Sequence, residues 1–291
     1  MHHPYLKSRL MKIKKIRLSY EEIICSAAAR ELSDGDIVFV GQGYPILAAL
    51  LAKKAGKDLT LIMEGGIIEF DLYRPPIHIA DMTSMKGCAA ACELIEIFTY
   101  YLFGECFDVG FLGASQIDKY GNINTSFQSY PDKRIAGSGG ANEIGGYAKK
   151  LIIIMRHGRF VEKLPYITTP GWLEGGNSRA EAGLPGGPYA VITQKGVFKF
   201  DDETKELYLE SINPKVDLEK LKKRVPWDLK VADDLKKTPL PSQEELNILR
   251  QLAPGVTIGR ARWAFRQLEF LRNLSAKRLE RNQRYEEKVK S

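Results

Sequence analysis

Long hydrophobic runs and paired cysteines are missing from this sequence, and their absence excludes several protein classes. No apolar stretch approaches the roughly 18 residues of a membrane span, and the N-terminus has no apolar signal segment. The four cysteines form no Cys-x-x-Cys pair and have no nearby histidine, namely Cys25, Cys88, Cys92 and Cys106. Such isolated thiols are typical of a reducing compartment. We therefore expect a cytoplasmic protein with no bound metal and no membrane partner.

Acidic residues are scarce at both ends of the chain. Residues 1–17 contain six Lys or Arg and no acid, and residues 260–291 contain ten Lys or Arg against four acids. The whole chain has a formal net charge of +7, so residues 18–259 carry −5. Basic ends can bind nucleic acid, but no interleaved aromatic platform or RNA-recognition motif accompanies them here. Nucleic-acid binding is therefore not expected.

The charge distribution and the apolar pattern divide the chain into three parts. We predict a basic N-terminal arm over residues 1–17, a single α/β domain over residues 18–259, and a basic amphipathic C-terminal helix over residues 260–291. The helix is expected because an apolar stripe runs along a basic segment, formed by Ala264, Leu268, Leu271 and Leu274.

Short apolar runs alternate with helical patterns through the middle of the chain. A capping box at Ser19 and Glu22 predicts a helix to about residue 32, and a second helix is expected over about 46–55. The small apolar residues between 86 and 103 are also expected to be helical. Strands are predicted at 37–40, 58–63, 108–112 and 151–155, with a hairpin at 197–200 and 206–210. This alternation predicts parallel strands with right-handed crossovers.

Glu64 is the first candidate for chemistry because it ends the strand predicted over residues 58–63. A charged side chain at the end of a buried strand is costly unless something uses or pairs it. Gly65 and Gly66 follow, so no side chain blocks the approach of a substrate or of another backbone segment. The simpler interpretation is a strand-end glutamate that is solvated or paired with a lysine.

Two further turns are expected to line a pocket. Gly41-Gln42-Gly43 lies between a strand and a helix, where backbone N–H groups can face an anion. Ile46 replaces the third glycine of a dinucleotide fingerprint, so NAD binding is rejected. The polar segment 113–124, which contains Gln116, follows another buried strand, and ligands bind at such strand ends in open α/β sheets.

Three hypotheses compete for the glycine-rich centre at residues 137–142. A serine hydrolase would use Ser138 with Glu143 and His157, but the intervening chain is too short to bring three such groups together easily. His157 is better explained as a residue at a strand end. A non-enzymatic α/β module that senses a ligand would give Glu64 no special role. The third hypothesis is covalent catalysis by Glu64.

In the third hypothesis, the Glu64 carboxylate attacks a thioester, forms an acyl-enzyme anhydride and releases a thiolate. The thiolate returns to give a glutamyl thioester, from which a second carboxylic acid takes the thiol group. Because one thioester is exchanged for another, neither ATP nor a metal is required. The consecutive amides of Gly139, Gly140 and Ala141 have nothing bulky in front of them and are candidates for stabilising the tetrahedral oxyanion.

Four motifs occur in order along the chain, namely Glu64-Gly65-Gly66 and the segments 113–124, 137–142 and 169–172. Together they resemble the family I CoA-transferases over about residues 20–255, and most of all the B (β) subunits of glutaconate CoA-transferases. The resemblance implies a Rossmann-like α/β fold in which a mostly parallel sheet is flanked by helices. It also implies that Glu64 matches the catalytic glutamate of the family.

The same resemblance implies a substrate-binding turn and a partner. Gly139, Gly140, Ala141 and the adjacent Asn142 match the loop that holds the oxyanion and contacts CoA. Acyl-CoA and a carboxylic acid would be substrates, and no cofactor would be permanently bound. A homologous A (α) subunit would complete the active site, in an α2β2 or larger assembly. The remaining pocket wall is expected to consist of Gly41, Gln42, Gly43, Gly65, Gly66 and Gln116.

Two alternatives to a transferase stay open. One is a CoA-thioester hydrolase subunit of the same fold, of the type that opens rings of steroid-derived thioesters, although its B-like subunit has no glutamate at this strand end. The other is a non-catalytic module that senses acyl-CoA. If the substrate is a dicarboxylate, its far end is expected to bind one of four arginines, namely Arg74, Arg134, Arg156 or Arg179.

Overall fold

The computed structural model describes residues 18–253, except residues 71, 73–75 and 77–80. The predicted N-terminal arm, the predicted C-terminal helix and Arg74 therefore lie outside the described residues. Within the described part of the chain, no helix combines the length and the apolar character needed to cross a membrane.

A ten-stranded sheet forms the centre of the fold, and helices separate its five central parallel strands along the described chain. The strands are β1 (Ile37–Val40), β2 (Thr60–Ile62), β3 (Ile67–Ile68), β4 (Ala90–Ala91), β5 (Val109–Gly113), β6 (Gln116–Ile117), β7 (Ile123–Asn124), β8 (Phe127–Ser129), β9 (Lys133–Arg134), β10 (Lys150–Met155), β11 (Arg159–Phe160), β12 (Pro188–Thr193), β13 (Gly196–Phe200), β14 (Leu207–Ile212) and β15 (Lys230–Lys237). The helices are α1 (Tyr20–Arg30), α2 (Tyr44–Lys54), α3 (Leu94–Glu96), which continues as a π-helix (Ile97–Leu102), α4 (Ala141–Tyr147), α5 (Ser178–Glu181), α6 (Leu218–Lys222) and α7 (Gln243–Leu252).

The central strands of the large sheet run parallel in the order β2-β1-β5-β10-β12. β3 and β4 extend this sheet beyond β2, and β13, β14 and β15 extend it beyond β12. β2 pairs with one edge of β1 and β5 pairs with the other. The carboxyl ends of β1 and β5 therefore form a topological switch point, where open α/β sheets bind their ligands.

Alternate residues of the central strands face two separate hydrophobic cores, as the two-residue period of a strand requires. Val38 and Val40 belong to the core that α1, α2 and α7 cover. Phe39 faces the other core, which contains residues of the π-helix, of α4 and of α6. Because both faces are buried, the strands are continuous apolar runs in the sequence, and this is the pattern of a parallel sheet covered by helices.

Local chemistry sets the start of two helices as the sequence predicts. The Glu22 N–H donates to the Ser19 hydroxyl at 3.2 Å while the Ser19 N–H donates to the Glu22 carboxylate at 2.8 Å. Ser242 and Glu245 form the same reciprocal pair at the start of α7. The predicted hairpin is also present, because β13 and β14 pair antiparallel.

The expected helix over residues 86–103 is wrong in its first half. β4 pairs antiparallel with β3 at Ala90 and Ala91, and helical structure begins only at Leu94. Small residues pack equally well in strands and helices, so their spacing did not distinguish the two. The neighbouring strand decides the outcome, because β3 offers main-chain hydrogen-bonding groups that the chain satisfies by adding a strand.

Candidate active site

Glu64 lies in the turn between β2 and β3, and main-chain contacts fix this turn. The Met63 N–H donates to the Ile67 carbonyl at 3.0 Å, and the Gly66 N–H donates to the Met63 carbonyl at 3.0 Å. Gly66 has a φ of +87°, and a Cβ atom there would stand 1.9 Å from the Cys92 carbonyl oxygen. Glycine is therefore required at position 66 for the turn that carries Glu64.

The Glu64 side chain is half-buried and lines a cavity of about 470 Å³. This cavity lies beyond the carboxyl ends of β1, β5 and β10, at the switch point of the sheet. Its wall includes Gly41 and Gln42 after β1, residues 113–116 after β5, residues 135–138 with Gly140 and Ala141, and residues 156–159 after β10. The glutamate singled out from the sequence thus borders the ligand-binding edge of the sheet.

Gly139 and Gly140 present bare main chain to the Glu64 carboxylate. A Cβ atom on Gly140 would stand 3.5 Å from the Glu64 Cδ, and one on Gly139 would stand 4.0 Å from both carboxylate oxygens. Across the described residues, the N–H groups of these two glycines donate no hydrogen bond, whereas the Ala141 N–H donates to the Ser138 carbonyl at 3.1 Å. The predicted oxyanion role therefore fits Gly139 and Gly140 better than it fits Ala141.

Two threonines hold the ends of this glycine turn. The Gly137 N–H donates to the Thr125 carbonyl at 2.9 Å, and the Thr125 hydroxyl donates back to the Gly137 carbonyl at 2.9 Å. At the other end, the Thr169 hydroxyl donates to the Ala141 carbonyl at 3.1 Å. The segments 113–124 and 169–172, which the sequence singles out as motifs, therefore flank or contain the residues that hold the turn in place.

Phe98 of the π-helix fills the space beneath Gly140. A Cβ atom on Gly140 would stand 2.3 Å from the Phe98 Cζ, so even an alanine methyl group would displace this ring. The Phe98 ring centroid lies 5.7 Å from that of Phe39, which lies 5.0 Å from that of Phe107. The floor of the glycine turn is therefore continuous with the hydrophobic core, which restricts its movement.

Gln116 lines the cavity with a side chain that is already oriented by its neighbours. The Asn124 Nδ2 donates to the Gln116 Oε1 at 2.6 Å. The buried Asn124 also accepts the Ser126 N–H at 3.0 Å and the Thr168 hydroxyl at 3.4 Å. Among the described residues, the Gln116 Nε2 has no acceptor, so this amide group is a candidate donor to a ligand.

Apart from Gly139, which faces Glu64, four of the predicted site residues do not line the cavity. Gly43 precedes α2 with a φ of +92°, and Gly65 and Gly66 complete the β2–β3 turn. Asn142 is exposed in the first turn of α4. These four shape the elements that carry the lining residues, which include the predicted Gly41, Gln42 and Gln116, and their direct binding roles stay predictions.

The prediction that Arg179 could hold a substrate carboxylate is wrong. Its side chain is buried, and its guanidinium donates seven hydrogen bonds to main-chain carbonyls at positions 145, 146, 170, 171, 185 and 186. Burial lowers the pKa of Arg179 to about 10. All of its donors are therefore used in joining the last turn of α4 to the segments at 170–171 and 185–186, which the local sequence could not reveal.

The other arginines differ in their access to the cavity. Arg156 lines the cavity, and its Nε contacts the Glu21 carboxylate at 3.0 Å. Arg134 is exposed on β9, above the Phe127 ring, and does not line the cavity. Arg159 does line it, although no motif in the sequence selects this residue. The signal that could have found Arg159 is its position just after the buried strand β10.

Ser138 and His157 both line the cavity but do not form the pair that a serine hydrolase requires. Within the described part of the chain, no hydrogen bond joins their side chains, and Glu143 is not a lining residue. His157 follows β10, at the end of a strand as the sequence predicts. The described residues also contain no group of three His, Cys, Asp or Glu side chains arranged to hold a metal ion.

Comparisons with known proteins point to one family. Residues 21–224 match the family model described as Coenzyme A transferase. The chain is 39% identical over 241 residues to the B subunit of 3-oxoadipate CoA-transferase from Pseudomonas knackmussii, a match that covers 80% of this chain and 93% of that protein. It is 34% identical over 248 residues to the B subunit of glutaconate CoA-transferase from Acidaminococcus fermentans, a match that covers 81% of this chain and 92% of that protein.

The fold agrees with these sequence similarities. The crystal structure of glutaconate coenzyme A-transferase from Acidaminococcus fermentans matches with a TM-score of 0.76 and 30% identity, over 82% of this chain and 96% of that chain. The resemblance inferred from the four motifs and the mostly parallel sheet with flanking helices are therefore confirmed. The relatives are named as B subunits, which implies a partner A subunit. This chain belongs to the coenzyme A transferase family.

Proposed function

We propose that this chain is the nucleophile-bearing B subunit of a heteromeric enzyme that moves CoA from an acyl-CoA to a carboxylic acid. The observation that carries the proposal is the position of the Glu64 carboxylate, which faces the bare main chain of Gly139 and Gly140 at the edge of a cavity. Nucleophilic attack on a carbonyl needs both room for the reacting group and donors for the oxyanion. The space beside Glu64 and the main-chain N–H groups of Gly139 and Gly140, which donate no hydrogen bond among the described residues, support the proposal.

In the first half-reaction, a carboxylate oxygen of Glu64 attacks the thioester carbonyl of the acyl-CoA. The carbon–sulfur bond breaks, the CoA thiolate leaves and an acyl-glutamyl anhydride remains. The thiolate then attacks the glutamyl carbonyl of the anhydride and expels the acyl group as a carboxylate. Glu64 is now a CoA thioester. A second carboxylate repeats these steps in reverse, so the kinetics are ping-pong and no net proton or electron is transferred.

The N–H groups of Gly139 and Gly140 are the oxyanion donors in this proposal. Each tetrahedral intermediate carries one negative oxygen, and main-chain donors that need no rearrangement stabilise it most effectively. The hydrogen bonds of Thr125 and Thr169 hold the turn, so its donors are preorganised before substrate arrives. The first residue of α4 lies beside them, and a helix N-terminus adds a positive partial charge.

The relatives suggest the class of acid. Their names specify 3-oxoadipate and glutaconate, which are both dicarboxylic acids. We propose a dicarboxylate for this chain also, with Arg156 as the candidate that holds the carboxylate remote from the reacting one, because it lines the cavity. We further propose an α2β2 or larger assembly with a homologous A subunit that completes the site.

The decisive experiment uses the full chain co-expressed and co-purified with its A subunit. Incubation with acyl-CoA followed by borohydride or hydroxylamine should modify Glu64, detected by peptide mass spectrometry. Glu64→Gln keeps the size of the side chain but removes the nucleophile, and we expect kcat to fall by about 10⁴-fold or more. Glu64→Asp shortens the side chain by one CH₂ and misplaces the attacking oxygen, so a loss of about a hundredfold or more is expected.

Several outcomes would contradict this proposal. Turnover that survives Glu64→Asp unchanged would exclude a covalent role for Glu64. Free CoA that accumulates without any acceptor acid would favour the thioester hydrolase, and binding of acyl-CoA without transfer by the assembled complex would favour the sensor. Full transfer activity of this chain purified alone would contradict the need for an A subunit.

A further inference from the structure

A basic cleft adjoins the Glu64 cavity past the end of β10. This cleft has a volume of about 250 Å³ and shares Arg156, Gly158 and Arg159 with the Glu64 cavity. Its other polar wall consists of Thr193, Gln194 and Lys195, in and after β12, and of Arg224 after α6. Four cations from three parts of the chain therefore line one cleft that adjoins the candidate active site.

Three of these four cations have no carboxylate partner among the described residues, namely Arg159, Lys195 and Arg224. Arg156 is the exception, because it pairs with Glu21 and also donates to Gln194. Cations held this close destabilise one another unless an anion lies between them. Consistent with this, burial lowers the pKa of Lys195, and the charge of Arg224 lowers it further.

Besides Glu21, which pairs with Arg156, one further acidic group lies near the cleft and does not neutralise it. Asp217 lines an adjoining cavity of about 220 Å³ together with Lys220, Lys195 and Arg224. Its carboxylate accepts the main-chain N–H of Lys220 at 2.8 Å, as the N-cap of α6. The cleft and its neighbour therefore carry an excess of positive charge, which suits a ligand with more than one negative charge.

The strand order gives the distance from the nucleophile to this cleft. Neighbouring strands lie about 4.8 Å apart, so the end of β10 lies about 14 Å and the end of β12 about 19 Å along the sheet edge from the end of β2. The pantetheine arm of CoA has thirteen bonds between sulfur and the first phosphorus, and an extended chain of three bonds spans about 3.5 Å, so the arm reaches about 15 Å. A six-carbon dicarboxylate reaches less than half as far.

From this match we propose that Arg159, Lys195 and Arg224 bind the pyrophosphate of CoA while the thioester lies at Glu64. Arginine and lysine are suited to phosphate oxygens, and the cleft holds both. The proposal depends on the proposed transferase function and adds the location of the nucleotide end of the substrate. It also accounts for the wall residues that the cationic cleft shares with the Glu64 cavity.

The test compares three thioester donors on the full chain co-purified with its A subunit. Acyl-CoA carries both the pyrophosphate and the 3′-phosphate, acyl-dephospho-CoA lacks the 3′-phosphate, and acyl-pantetheine lacks all phosphates. In Lys195→Gln and in the double variant Arg159→Gln/Arg224→Gln, we expect kcat/KM to fall about tenfold or more for both nucleotide donors. For acyl-pantetheine it should change less than about twofold, because no phosphate is present to lose a contact.

Arg134→Gln is the matched control, since it removes an exposed arginine that lies outside both cavities. It should affect all three donors equally. The proposal is overturned if the cleft variants lower kcat/KM equally for all donors, if they affect only acyl-CoA, or if Arg134→Gln produces the phosphate-dependent loss. If no donor is turned over, the transferase function fails, and calorimetric titration with CoA and with pantetheine decides separately whether the cleft variants weaken CoA alone.

Discussion

Two glycine-rich loops of this chain, residues 137–141 and 170–187, have opposite surroundings. In the first, a Cβ atom on Gly139 would face only the Glu64 carboxylate, and one on Gly140 would meet the Phe98 ring and the Glu64 Cδ. In the second, a Cβ atom on Gly171 would stand 2.3 Å from the Gly121 carbonyl carbon, and the carbonyls of Gly171 and Gly186 accept hydrogen bonds from Arg179. Glycine density alone therefore does not identify a binding site. A binding site is identified instead by which atoms lie where the glycine lacks a side chain.

The substitution Arg179→Met should produce the largest effect and test whether the second loop is structural. It leaves main-chain carbonyls at six positions without their buried donor. Unpaired buried acceptors are destabilising, so we expect the free energy of unfolding to fall by about 3–5 kcal/mol. Urea denaturation followed by circular dichroism measures this change.

The substitution Arg179→Lys is the matched control for that experiment. Lysine keeps the positive charge but has three donors instead of a planar fork of five, so an intermediate loss of stability is expected. If Arg179→Met unfolds at the same urea concentration as the wild type, the loop does not depend on this residue, and the contrast between the two glycine loops disappears.

The substitution Gly140→Ala tests the first loop and should act mainly on catalysis. The added methyl group would stand 2.3 Å from the Phe98 Cζ and 3.5 Å from the Glu64 Cδ. A shift of about 1 Å in a reacting group lowers the rate about a hundredfold, so a loss of that size is expected in kcat. The accompanying loss of stability should be about 1–3 kcal/mol, as for other overpacked sites.

Gly171→Ala is the comparison variant, because its methyl group would meet the main chain of Gly121 and Asn122 and not the Glu64 carboxylate. It should lower the unfolding midpoint and leave kcat per folded molecule unchanged. Steady-state kinetics with active-site titration separate the two effects. Equal losses of kcat in Gly140→Ala and Gly171→Ala would show that the two loops do not differ in function.

A smaller effect is expected at Glu206 of the β13–β14 hairpin, which pairs with one lysine of the segment 113–124 and one of β15. Lys119 and Lys230 contact the Glu206 carboxylate at 2.6 and 3.0 Å and lower the pKa of Glu206 below its ordinary value of 4.5. A carboxyl group with a lowered pKa stabilises the folded state at pH values above its ordinary pKa. This stabilisation is lost as the pH falls through the lowered pKa. Glu206→Gln should therefore destabilise the protein at pH 7 by about 1 kcal/mol or less, because the ion pairs are partly exposed.

The pH dependence provides the check on that assignment. The difference in urea midpoint between the wild type and Glu206→Gln should shrink as the pH is lowered from 7 to below 4.5. If the difference in urea midpoint grew on acidification, the pKa of Glu206 would not be lowered in the folded state. Lys236→Gln serves as the control, since its contact with Asp234 is longer, 3.7 Å, and both side chains are largely exposed.

The features that could be predicted from the sequence are those with a local or a periodic cause. The capping boxes at Ser19 and Ser242 depend on residues three positions apart, so the sequence shows both partners. The buried strands β1, β5 and β10 are continuous apolar runs, and their alternation with helices predicts parallel pairing. Glu64 could be selected because a charge between a buried strand and two glycines is rare without a reason.

The features that could not be predicted depend on residues distant in the sequence. Arg179 resembles any exposed polar residue until its carbonyl partners, in α4 and in two segments distant from it in sequence, are known. The basic cleft brings together Arg159, Lys195 and Arg224, whose proximity follows from the order of β10 and β12 in the sheet and from the position of α6. β4 formed instead of a helix because β3 was available as a pairing partner.

The main-chain hydrogen bonds that fix the β2–β3 turn have a consequence for how the two acids bind. The hydrogen bonds of Met63 and Gly66 fix the main chain on either side of Glu64. The carboxylate can therefore move only by rotation about the side-chain torsions of Glu64. Rotation of this short side chain cannot carry a covalently bound group from one binding site to another. The donor acid and the acceptor acid would then have to occupy the same binding site in turn, and each should compete with the other for it.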